Sequence, residues 1–73
     1  MRYLIVFEKT ATGYSAYLPD VPGCVATGEN RDDVEKNIRE ALDLHLEGLR
    51  EDGVEPEPAE SFADYLEIGA VPR

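Results

Sequence analysis

Seventy-three residues make one domain, spanning 1–73. At this length folding hides only about 60% of the surface that the unfolded chain exposes, so the interior is thin. Seven Lys and Arg against sixteen Asp and Glu leave a formal charge of −9, a field that repels nucleic-acid phosphates and anionic lipid and attracts basic proteins. A single cysteine, Cys24, excludes an internal disulfide. With a single histidine, His45, it falls short of the four ligands of a structural zinc site. The support remaining to so small a core is self-association, and a homodimer or higher oligomer is expected.

The chain begins with a strand over Tyr3 to Phe7. Tyr3, Ile5 and Phe7 point to one face and Leu4 and Val6 to the other, so both faces need cover and a second subunit is the simplest supplier of one of them. The apolar run stops at Glu8 and Lys9, too short for a signal-peptide core or a membrane span, and a cytoplasmic chain with a reduced thiol and no membrane partner is expected. Thr10 to Gly13 is a turn. A second strand follows over Tyr14 to Leu18 and a third over Cys24 to Thr27.

Asn30 then reads as a helix N-cap, with Asp32 and Asp33 in the first turn where carboxylates favour the N-terminal dipole. Val34, Ile38, Ala41, Leu42, His45 and Leu49 recur at helical spacing, and Gly53 ends a helix running from about Arg31 to Asp52. The stretch "EPEPAE", Glu55 to Glu60, cannot remain helical and runs extended over the surface. Leu66 and Ile68 alternate with Tyr65 and Glu67, which predicts a final strand over Asp64 to Val71. The order β-β-β-α-β makes an α+β, two-layer sandwich, an antiparallel sheet with one helix on one face and the other face open.

The stretch "LPDVPGC" combines Pro19, Asp20, Pro22, Gly23 and Cys24. A nucleophilic thiol needs a cationic neighbour or a helix N-terminus to lower its pKa, whereas the nearest charge in sequence is that of Asp20. These five residues read as a structural corner, with Cys24 a small apolar residue at the start of the third strand. His45 falls within the apolar stripe of the helix and reads as a core or interface residue, the rival being a pH-sensitive contact at a subunit boundary. The carboxylates lie chiefly at the helix start, on its solvated face or in the tail rather than in a pocket, so no metal site is assigned. Tyr3, Tyr14 and Tyr17 lie on strands with only Arg2 and Lys9 as basic neighbours, a pattern that suits a protein interface better than base stacking. No catalytic residue and no cofactor is assigned, and the chain reads as a non-enzyme.

The ordered set "YSAYLPDVPGCVATGENRDDVEKNIREALDLHLEGLREDGVEPEP", Tyr14 to Pro58, resembles the HicB-like antitoxin family. The resemblance implies a truncated ribonuclease-H-like fold that assembles into dimers or larger forms. It also implies a small basic RNA-cleaving toxin as partner, held by an acidic antitoxin that masks its active site. In complete systems a separate C-terminal DNA-binding domain represses the operon. Nothing resembling that domain follows "DYLEIGAVPR", so a solitary domain with no direct nucleic-acid binding is expected. Candidate partner-binding residues are Tyr17 and Asp20, near the corner, and Glu40, Asp43 and Glu47 on the helix. The alternative function is a solitary oligomeric scaffold or ligand-binding module with no toxin partner.

Overall fold

The computed structural model describes residues 1–69. Strands β1 (Val6–Lys9), β2 (Tyr14–Tyr17) and β3 (Val25–Gly28) form an antiparallel sheet in that order, and helix α1 (Arg31–Glu51) follows. The α+β architecture with an antiparallel sheet and one helix is the one expected, here with three strands in the order β-β-β-α. β1 begins three residues later than the sequence pattern suggests. Its ladder opens with Val6 opposite Tyr17, because beyond Tyr17 the partner strand bends at Leu18 and reaches Pro19, which has no N–H to donate. At the other end a turn, closed by a 2.8 Å bond from the Thr10 N–H to the Gly13 carbonyl, lets Glu8 and Lys9 pair.

Over residues 64–69 the expected final strand is not formed. Residues 64–69 join no sheet and are exposed, and Ala70 and Val71 lie outside the described residues. A strand exists only by pairing, and alternation alone supplies no partner edge.

The register sets Phe7, Ala16 and Ala26 side by side on the face that packs against α1. Val6, Tyr17 and Val25 share the opposite face, since successive side chains alternate. The buried interior consists of Ala16, Leu18, Val21, Cys24, Val34 and Ile38. Val34 and Ile38, one helical turn apart, are fully enclosed, and Ala41 and Leu42 extend the same stripe.

The helix begins where the sequence says it should. The Asn30 side chain accepts from the Asp33 N–H at 2.9 Å, and Asn37 Nδ2 donates to the Thr27 carbonyl at 2.8 Å, tying α1 to β3. At the other end the Gly53 N–H bonds the Arg50 carbonyl and the Val54 N–H bonds the Leu49 carbonyl, the paired bonds of a Schellman ending, with Gly53 at φ 68°. β3 and α1 meet most tightly at Gly28, where an added Cβ would stand 2.5 Å from the backbone nitrogen of Val34.

Two substitutions separate these contributions. Asn30→Ala should cost about 1 kcal/mol through the lost cap. Gly28→Ala should cost more, about 1–3 kcal/mol or above, because a backbone must move. Urea unfolding followed by helical circular dichroism measures both.

Candidate partner-binding surface

The corner between β2 and β3 is held by three backbone bonds: Leu18 N–H to the Cys24 carbonyl, Val21 N–H to Leu18, and Cys24 N–H to Val21, at 3.3, 3.1 and 3.1 Å. Gly23 sits at φ 85°, a conformation that side chains resist. Pro19, Pro22 and Gly23 stay outside while Leu18, Val21 and Cys24 turn inward and are buried. The loop therefore supplies half of the interior. Burial pushes the Cys24 thiol above its ordinary pKa, and the charge of Glu57 pushes it further, so it is a poor nucleophile.

Asp20 faces the other way. Its carboxylate accepts the backbone N–H of Ser61 at 2.8 Å, the Ser61 hydroxyl at 2.8 Å and the Glu60 N–H at 3.1 Å. These bonds, the Ser61 amide first, hold its pKa below the usual carboxylate range. The residue that read as a partner contact thus anchors the chain returning from the helix. A second anchor lies nearby. His45 Nε2 stands 3.0 and 3.2 Å from the two carboxylate oxygens of Glu57, and the Tyr3 hydroxyl donates to the Glu57 carbonyl. His45 is half-buried and bridges the helix to this returning segment. Glu57 is lowered by its own backbone amide and then by His45.

The other candidates separate. Tyr17 lies on the open sheet face between Val6 and Val25, and Val25 is 65% exposed. Glu40, Asp43 and Glu47 are exposed on α1, the layer on the other side of the sheet. They are not brought together with Tyr17 or Asp20. Among the three acids lies Leu44, 70% exposed, which the helical stripe passed over because it falls outside that stripe.

From the end of the helix onward the charge pattern sharpens. From Glu51 to Gly69 the chain carries seven carboxylates and no basic residue. The same stretch exposes Phe62, Tyr65, Leu66 and Ile68. Among the described residues no group of His, Cys, Asp and Glu is placed to hold a metal ion, and no helix is long and apolar enough to cross a membrane.

Comparison with known proteins agrees with this arrangement. The model of the HicB-like antitoxins of bacterial toxin-antitoxin systems matches residues 3–69. The chain belongs to the HicB-like antitoxin family. The HicB-like chain is 36% identical, over 90% of its length, to an uncharacterized 14.9 kDa protein of Haemophilus phage HP1, and spans 50% of that relative. It is 40% identical to a UPF0150 protein of Helicobacter pylori over 64% of this chain and 65% of that one. Antitoxin HicB 2 of Photorhabdus laumondii is 30% identical over 96% of this chain and 51% of its own. The chain thus spans between half and two thirds of the length of these relatives. Among solved structures, a chain of the HicA3 and HicB3 toxin-antitoxin complex superposes with a TM-score of 0.65 at 37% identity, covering 81% of this chain and 70% of that one. The antitoxin HicB3 crystal structure gives 0.63 at 25% identity, with 94% and 71% covered.

Both anchoring carboxylates have lowered pKa values, so their contribution is complete above the usual carboxylate value of about 4 and is lost as pH falls through the lower folded values. The Glu60 and Ser61 amides should therefore keep their hydrogen-exchange protection factors, taken against the intrinsic rate at each pH, from neutral pH down to that range and lose them in stronger acid. Asp20→Ala should make them exchange quickly at neutral pH while leaving the helix intact. Cys24 should resist thiol reagents in the native protein and react at once on unfolding.

Proposed function

We propose that this chain is the antitoxin part of a toxin-antitoxin pair, a non-catalytic module that sequesters a small basic RNA-cleaving toxin. The observation that carries this reading is its likeness to a chain of the HicA3 and HicB3 complex over four fifths of its length, at 37% identity. The charge of −9 supports it independently, because complementary fields draw a basic partner in and speed encounter.

The helix face is the favoured docking surface. Glu40, Asp43 and Glu47 would pair with cationic side chains around the toxin's RNA-binding site, and Leu44 would fill an apolar recess at their centre. Occupying that site with carboxylates denies it to RNA phosphates, which is inhibition by charge mimicry and asks for no bond making or cofactor. Tyr17 joins the contact if the partner reaches round to the open sheet face. Asp20 acts at one remove, by holding the returning segment, as do the corner residues Pro19, Pro22, Gly23 and Cys24.

The purified chain should bind a HicA-type toxin at low salt and release it as salt rises. Replacing Glu40, Asp43 and Glu47 with Lys should slow association by about tenfold or more, and Leu44→Ala should mainly speed dissociation. Cys24→Ala and His45→Ala proteins that remain folded should still neutralise the toxin. Surface plasmon resonance across a salt series, with growth rescue on co-expression, reads all of these. Indifference to such toxins at low salt would overturn the reading.

A further inference from the structure

Because α1 packs on β3 and β2, a gap remains between the helix and the residues that lead into β1. It is a cavity of about 500 Å³, walled by Tyr3 and Ile5 on one side and by Leu42 and Leu46 of α1 on the other. Ile38, fully buried, also lines it, so the gap reaches the core. The exposed Pro56 of the returning segment borders it. The Tyr3 hydroxyl is engaged by the Glu57 carbonyl, which leaves the ring as its contribution to the wall. Protein interiors hold few voids of this size, whereas small-molecule sites commonly have it.

The charge of the lining runs against that of the molecule. Sixteen of the 73 residues are acidic, yet none of them lines this cavity, and its one charged side chain is that of Arg39. Arg39, Leu42 and Leu46 fall at i, i+3 and i+7 and so share one strip of α1, with the guanidinium at the end of the apolar wall. Arg39 Nη2 donates to Glu35 at 3.1 Å, but the two side chains are 68% and 49% exposed, a weak pair that leaves the other guanidinium N–H groups to bind an anion.

We propose that this cavity binds an apolar monocarboxylate of the fatty-acid type, its alkyl chain between the two walls and its carboxylate on Arg39. An anion on an apolar stem matches the lining in both respects. A polar ligand would lose its hydration against aliphatic side chains without recovering hydrogen bonds there, and a cation would meet no carboxylate inside. The strip used lies beside the one that carries Glu40, Asp43 and Glu47, and binding of the carboxylate needs no toxin. Failure of either reading therefore leaves the other standing.

The test is a titration of the full chain with decanoate, kept below its micelle-forming concentration and followed by methyl chemical shifts. Ile5, Ile38, Leu42 and Leu46 should move together along one saturable, one-site curve. Arg39→Gln should weaken decanoate by about fivefold, the scale of one exposed ion pair, and leave decanol unaffected. Leu46→Trp should abolish binding of both by filling the cavity from the helix. Pro56→Trp fills it from the exposed border and replaces Leu46→Trp if circular dichroism shows that variant unfolded. Absence of a saturable shift overturns the proposal, including the case in which sedimentation finds a second copy over the cavity. Shifts centred on the exposed Phe62 and Tyr65 would mean surface adsorption and overturn it too. An Arg39→Gln effect equal for decanoate and decanol would remove the carboxylate contact and with it the assigned ligand.

Discussion

The single helix of this chain packs on two of its three strands. A helix with its side chains is about 10 Å across, whereas three strands at about 4.8 Å spacing present a wider face. Here α1 packs on β3 and β2, drawn there by Gly28, which lets β3 approach the backbone of Val34, and by Asn37 reaching the Thr27 carbonyl. β1 is left at the uncovered side. Much of what is distinctive in this molecule follows from that offset.

The chain answers the offset with polar anchors rather than a second helix. After Gly53 the returning segment crosses toward β1 and is fixed at two points, Glu57 by His45 and Tyr3, and Glu60 and Ser61 by Asp20. Among the described residues only six side chains are buried, half of them supplied by the corner loop, so the loop belongs to the core in all but backbone conformation. The carboxylates that do the anchoring also belong to a strongly acidic surface. Self-repulsion within that surface opposes compaction, while under the proposed function the same field would draw in a cationic partner.

Several site residues were visible in the sequence and others were not. Cys24 was readable as a small apolar residue because no cationic neighbour accompanied it. Asp20 was readable as part of a turn, but its real partners, the Glu60 and Ser61 amides, lie 40 residues along the chain, and backbone donors leave no mark in a sequence. Glu57 sat in a proline-rich stretch with no signal that one of its carboxylates would meet His45. Leu44 was hidden for a different reason: apolar periodicity finds the buried stripe and is silent about an apolar residue left outside it.

The sequence by itself determined the local events: the Asn30 cap, the Schellman ending at Gly53, the Val34–Ile38 stripe, the hairpin, the corner, and the acidic field. Each depends on residues within a few positions of one another or on composition alone. The tertiary structure decided what depends on distant partners: where the β1 ladder starts, where α1 settles on the sheet, what Asp20 and His45 hold, and that the alternating residues after Asp64 find no strand to pair with through Gly69. Alternation specifies a strand's two faces, but only a neighbouring edge, with its own N–H and C=O groups in register, can make it one.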